Sequence, residues 1–373
     1  MPVERRRNLM PAPVLNLDDS PVAIQQQEVF HRLMSGAGTP VFVLGRNEYA
    51  ERVSRIVAAD AFIDDFTKER VYLGRPVIRM TDLPGRCLVI SCAIDSLPVT
   101  ALDRLRAAGA LEIIDYFTLS RMAPDRFPPA EFCAGNRQDI IENAARYEWV
   151  YSLLADEVSM RHFAKVVRFR LTMDVEHMRG IPLALDRQYF EDFLPLAPGA
   201  VFVDGGGFDG QTTLQFTAWK KDYRRVHYFE PSPAMMDASR RNLVGLRDVR
   251  LVQKGLFSRN DRMRFNADAG LSSGLSPSGQ TEIDVVRLDD EVQEPVTFVK
   301  LDVEGAEPGA IQGAADHIRA EAPTMAICIY HDQRDFWRVP SGVLEINKGY
   351  KLYVRHYTES IRETVMFFVP KSP

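Results

Sequence analysis

The chain has 373 residues, 46% hydrophobic and 26% charged, which excludes fibrous, collagenous and wholly disordered proteins and leaves room for two folded domains. A formal charge of −5 argues against a protein that coats nucleic acid or an anionic membrane. Four scattered cysteines, Cys87, Cys92, Cys133 and Cys328, make no disulfide framework and no common zinc pattern, so a reducing, cytoplasmic setting is expected. No apolar run approaches the roughly 20 residues that span a bilayer. The N-terminal stretch carries Arg5, Arg6 and Arg7 without a following apolar segment, so it reads as a polar arm rather than a signal peptide.

After a polar arm over 1–35, strands and helices alternate. Val41 to Leu44 is a short apolar run that stops at Gly45, and Tyr49, Val53, Ile56 and Val57 then recur at helical spacing. Further strands are predicted at Ala61 to Ile63, Pro76 to Ile78, Cys87 to Ser91 and Leu111 to Ile114, with a helix from about Thr100 to Ala108. This alternation predicts a small Rossmann-like α/β domain over 36–125. A helical connector is expected over 126–183, where Asn143, Tyr147, Val150, Tyr151, Leu154 and Val158 form one helix-spaced series. Tyr147, Trp149 and Tyr151 could stack on a sugar, although Tyr147 and Tyr151 at i and i+4 read more naturally as core.

A second α/β series occupies 184–373. Val201 to Val203 ends in Asp204 and a glycine cluster, His227 to Phe229 in Glu230-Pro231, and Val249 to Val252 near Gly255. Val296 to Leu301 ends in Asp302, and Met325 to Tyr330 in His331. The gap between the last two strands, Tyr350 to His356 and Glu363 to Val369, is too short for a parallel crossover, so an antiparallel hairpin should close a mostly parallel sheet. The Gly/Ser-rich stretch 270–279 reads as a flexible loop.

Open parallel sheets bind ligands at the carboxyl ends of their strands, so Asp204, Glu230, Gly255, Asp302 and His331 should share one rim. Glycines in Asp204-Gly205-Gly206-Gly207-Phe208-Asp209-Gly210 would let the backbone approach a ligand closely. A carboxylate just before the glycines would repel a pyrophosphate but attract an ammonium, and Glu230 suits ribose hydroxyls; together they favour S-adenosylmethionine over NAD.

These motifs resemble the FkbM-type methyltransferases over roughly Ala200 to Pro370. The resemblance is carried by V-D-G-G-G-F-D-G-Q-T, Y-F-E-P-S-P, R-L-D-D, V-K-L-D-V-E-G-A-E, I-Y-H and the Y-V-R-H-Y ending. It implies a class I S-adenosylmethionine-dependent O-methyltransferase in which Asp204, Gly205, Gly206, Gly207, Asp209 and Gly210 hold the methionine part and Glu230 the ribose. Pro231 and Gly255 are expected beside them. Gly207 departs from the family, where alanine is common. Asp302, Glu304, Glu307 and His331 are the candidates for handling the acceptor's proton, with Glu304 and Glu307 alternatively first-turn helix acids. His331 as a base without metal is preferred to a divalent cation at the same rim, which no motif establishes.

The acceptor is expected to be a hydroxyl of a sugar, glycan precursor or secondary metabolite. A short similarity of Gly45-Arg46-Asn47, Asp64-Asp65 and Gly74 to Val77 to the N-terminal domains of sugar-modifying enzymes suggests a nucleotide or sugar-nucleotide there. Homo-oligomerisation is left open. The competing readings are a non-catalytic binding module and an NAD-dependent oxidoreductase. The C-terminal unit from about Ala184 is expected to fold and bind cofactor alone.

Overall fold

A computed structural model describes residues 15–36, 38–95, 97–265 and 281–371. The stretch 270–279, read from sequence as a loop, lies outside the described residues, as do the first 14. Within the segment expected as a polar arm, Ile24–Ser35 is a helix, and its Val29 and Leu33 are buried in the core.

The first sheet comprises β1 (Val41–Leu44), β2 (Ala61–Ile63), β3 (Val71–Tyr72), β4 (Arg75–Ile78), β5 (Leu88–Ser91) and β6 (Glu112–Asp115), in the order β3-β4-β2-β1-β5-β6. All its pairings are parallel except β3 with β4. The series expected as one helix from Asn143 to Val158 is two, Ala144–Leu153 and Glu157–Thr172. Leu154 leaves the helix to bridge Leu352, and the Asp156 carboxylate accepts Ser159 N–H as the N-cap of the next helix. Tyr147 is buried and donates to Asp139, as its spacing favoured.

The C-terminal strands are β7 (Val201–Gly205), β8 (Arg225–Phe229), β9 (Val249–Val252), β10 (Gly255–Leu256), β11 (Asp261–Phe265), β12 (Thr281–Val286), β13 (Phe298–Leu301), β14 (Thr324–Cys328), β15 (Tyr350–His356) and β16 (Thr364–Pro370). Seven of them form the main sheet in the order β15-β16-β14-β13-β7-β8-β9. β16 runs antiparallel between β14 and β15, and the rest are parallel. This is the mixed α/β fold with a closing hairpin that the strand pattern predicts. A separate three-stranded sheet, β10-β12-β11, has no counterpart in the sequence reading. Its strands alternate with charged residues and carry no long apolar run.

The helix Glu157–Thr172 is not a polar spacer between units. Ser159 Oγ accepts Val354 N–H at 2.9 Å, Asp156 pairs with Arg355 at 2.7 Å, and His162 Nδ1 accepts His356 N–H at 3.0 Å, so the helix is tied along β15. The fully buried Arg170 reaches the carbonyls of Tyr330 and Ile361 at 3.0 and 3.4 Å. One continuous cluster of buried apolar residues runs from Leu15 in the N-terminal part to Phe368 in β16. A fragment beginning at Ala184 would expose this shared surface.

The loop between β15 and β16 docks on the first unit. The N-cap of the helix Pro98–Ala107 is Leu97, which makes no side-chain cap hydrogen bond, and the Glu359 carboxylate accepts Thr100 N–H at 2.7 Å and Thr100 Oγ at 2.8 Å. Ser360 donates to the Ile94 carbonyl. Glu359→Ala is expected to cost about 0.5–2 kcal/mol in urea unfolding, as loss of an N-cap does, with Glu359→Gln recovering part of it. Equal midpoints for wild type and the alanine variant would show that this docking contributes nothing.

Candidate active site

The carboxyl ends of β7, β8, β13 and β14 open on a cavity of about 560 Å³. Its wall includes Gly206, Gly207, Asp209, Glu230, Asp302 and Glu304, and also Pro231 and Gly255. Asp204, Gly205, Gly210 and His331 are not on this wall.

The difference is instructive for Asp204, expected to meet an ammonium directly. Its side chain is fully buried, with Oδ2 accepting Thr213 Oγ at 2.7 Å and Oδ1 lying 3.2 Å from Lys300 Nζ. Lys300, itself buried on β13, donates to the carbonyls of Gly205 and Gly206 at 3.1 and 2.6 Å. Burial would lower the Lys300 pKa, but the Asp204 and Asp302 carboxylates overcome it and hold the ammonium above its ordinary value. Asp204 therefore neutralises the lysine that pulls the glycine loop onto β13. Sequence reasoning missed Lys300, although a lysine in the apolar run Val299-Lys300-Leu301 was a signal, since lysines are almost never fully buried unpaired.

Close packing alone requires two of these glycines, both of which also line the cavity. A Cβ at Gly206, whose φ is 73°, would overlap the Asp302 carbonyl, and one at Gly207 would overlap the Tyr228 ring. Tyr228 is anchored by donating to the Phe208 carbonyl at 2.6 Å, so an alanine at 207 requires a different arrangement at 228. The loop N–H groups are also committed: those of Gly206 and Gly207 donate to the Phe229 carbonyl, that of Phe208 to Glu230 and that of Gly210 to the Gly207 carbonyl. They do not form the N–H cradle on which a dinucleotide pyrophosphate depends. Gly210 instead starts the helix Gln211–Trp219 at φ 92°, and Asp209 Oδ1 accepts Gln211 N–H at 3.1 Å.

Glu230 accepts Phe208 N–H at 3.0 Å and Ser232 N–H at 2.8 Å. Burial raises its pKa to about 7 against the lowering effect of those two bonds. A carboxylate desolvated this far gains from donors supplied by a ligand. Cationic, donor-rich S-adenosylmethionine fits a wall bearing the acceptors Asp209, Glu230, Asp302 and Glu304.

At the other end of the cavity the strand ends bring Asp302, Glu304 and His331 together. Asp302 Oδ2 accepts the Tyr189 hydroxyl at 2.8 Å, while Oδ1 lies 3.3 Å from His331 Nε2. Burial would raise the Asp302 pKa, but Lys300 and His331 hold it below the ordinary value. Glu304, at φ 55°, sits in a turn rather than a helix, with Oε2 3.4 Å from His331 Nε2; burial raises its pKa to about 8. Glu307 begins the helix Glu307–Gly313, and its Oε1 accepts Val303 N–H at 3.0 Å and faces His331 Nδ1 at 2.8 Å. Burial would lower the His331 pKa, yet Glu307, Glu304 and Asp302 raise it to about 10. The ring thus faces carboxylates on both of its nitrogens.

Tyr189, Gln188, Phe132, Arg362 and Glu363 complete this end of the wall. None was assigned to the site from sequence. They come from segments before β7 and from the β15–β16 loop. Trp149 lies elsewhere, on a separate surface cavity. Among the described residues no helix is long and apolar enough to cross a membrane.

Residues 204–365 match the family model of the methyltransferase FkbM domain. A crystal structure of a methyltransferase FkbM from Methylobacillus flagellatus superposes with a TM-score of 0.75 at 22% identity, covering 94% of each chain. A putative rRNA-methylase from Clostridium thermocellum gives 0.34 at 14% identity, covering 51% of this chain and 96% of its own. An Aeropyrum pernix fibrillarin with natively bound S-adenosyl-L-methionine gives 0.33 at 14%, covering 50% and 73%. No curated protein sequence matches the chain.

Proposed function

We propose, on the premise of the methyltransferase FkbM domain at residues 204–365, that this protein is an S-adenosylmethionine-dependent O-methyltransferase acting on a hydroxyl of a sugar, glycan precursor or secondary metabolite. The observation that carries this reading is the shared cavity: Glu230 and the glycine loop line one end, and Asp302 and Glu304 the other. Bound S-adenosylmethionine would supply an electrophilic methyl group. The chain's own task is to align an acceptor oxygen for in-line displacement and to draw off its proton. Asp302, held ionised and oriented by Tyr189, is the group best placed to orient that hydroxyl. Phe132, Tyr330 and Leu185 add apolar wall, while Gln188 and Arg362 add donors, a mixture that suits a polyhydroxylated acceptor.

Calorimetric titration with S-adenosylhomocysteine and, separately, NAD tests the cofactor. Saturable binding of the first is expected; saturation by NAD alone would overturn the reading. Glu230 adds a pH signature. Ribose hydroxyls donate to the carboxylate, so binding requires the ionised form. With a pKa of about 7 in the free protein, affinity should fall about tenfold between pH 8 and pH 6, as protonation competes with the ligand. Glu230→Gln should bind more weakly at pH 8 and lose this dependence. A variant with the wild-type pH profile would remove Glu230 from the ribose.

A further inference from the structure

We infer that Asp302, Glu304 and His331 form a divalent-cation site, taking Mg²⁺ or Mn²⁺, on the acceptor side of the cavity. One ligand atom from each residue lies within 4.8 Å of the other two. His331 Nε2 stands 3.3 Å from Asp302 Oδ1 and 3.4 Å from Glu304 Oε2. Neighbouring donors around an octahedral ion at roughly 2.1 Å stand about 3 Å apart, so modest contraction would close the set.

The independent sign is what the chain leaves unpartnered. The His331 side chain is only 2% exposed, yet among the described residues its Nε2 makes no hydrogen bond, and neither does the buried Oδ1 of Asp302 that it faces. Buried polar atoms of this kind are rare and expensive. On the far side of the ring, Nδ1 is matched to the fully buried Glu307, which is in turn held by Val303 N–H. A carboxylate accepting Nδ1–H fixes the tautomer that points the Nε2 lone pair at a metal. Lys300 lowers the Asp302 pKa through its charge but does not fill this position, because its ammonium pairs with Asp204 and donates to two loop carbonyls. Two carboxylates and one imidazole favour a hard, oxygen-preferring ion that tolerates nitrogen.

The cation's role rests on the methyltransferase reading. Positions left open by the three side chains would take the acceptor oxygen and lower its hydroxyl pKa, so that the proton departs to solvent or to a neighbouring carboxylate as the O–CH₃ bond forms and the S–CH₃ bond breaks. The site itself does not need that reading.

The test uses the chelator-stripped full-length chain, titrated with Mn²⁺ by electron paramagnetic resonance, with S-adenosylhomocysteine binding measured on the same samples. One Mn²⁺ per chain is expected, with pulsed spectra showing coupling to a single imidazole nitrogen. Glu304→Gln and Asp302→Asn should each weaken Mn²⁺ at least about 100-fold, and Glu307→Gln about 10- to 100-fold. Absence of Mn²⁺ binding, or binding without the nitrogen coupling, in wild-type protein that still binds S-adenosylhomocysteine overturns the cation site and leaves the methyltransferase reading standing. Mn²⁺ binding with nitrogen coupling in a protein that ignores S-adenosylhomocysteine supports the site and overturns that reading.

Discussion

Lys300→Met should destabilise the protein by about 3–5 kcal/mol, because it strands a carboxylate that has no access to water. Asp204 is fully buried, and among the described residues its side-chain partners are Lys300 and Thr213. Methionine matches the lysine stem in length, so packing of the aliphatic part is largely kept and the loss is electrostatic. The carbonyls of Gly205 and Gly206 also lose their donor. Adding Asp204→Leu to Lys300→Met should recover much of the stability, since replacing both members of a buried pair by apolar groups is often close to neutral. Urea unfolding of the two single variants and the double variant measures this. A Lys300→Met variant within about 1 kcal/mol of wild type would mean that the pair does not hold the glycine loop.

Asp302→Asn should lower kcat by about 10²- to 10⁴-fold while leaving S-adenosylhomocysteine affinity within a few fold, the size expected when a group that handles the acceptor's proton is lost. The substitution keeps shape and the hydrogen bond to Tyr189, so the fold and the Glu230 end of the cavity should be preserved. What disappears is the negative charge at the end of β13. The outcome is the same whether that charge acts directly on the acceptor or through a bound ion, and the Mn²⁺ titration separates those routes. Methyl transfer at a wild-type rate by Asp302→Asn would place the chemistry elsewhere in the cavity.

Chain-local patterns were enough to read the main sheet of the C-terminal unit, though not the separate three-stranded sheet. Short apolar runs ending at Asp204, Glu230, Asp302 and His331, and a gap too short for a crossover before β16, specify a mostly parallel sheet with a closing hairpin. Each is a property of a few consecutive residues, and strand period and connection length need no knowledge of distant partners. The motifs around Asp204 and Asp302 likewise carried the resemblance that the family match supports.

What a side chain does once buried depends on residues far away in sequence, and only the tertiary structure decided it. Asp204 faces Lys300, 96 positions on, rather than the cavity, because a buried ammonium on β13 must be neutralised. Glu359 caps a helix whose Thr100 lies 259 positions earlier. Tyr189 reaches Asp302, and Glu307 turns His331, through contacts that no spacing rule encodes. The helix Glu157–Thr172 lies in the expected connector, but its Ser159 and His162 hold Val354 and His356 of β15, 195 and 194 residues further along the chain. Helical periodicity identifies a buried face, whereas the chain's return path determines what buries it.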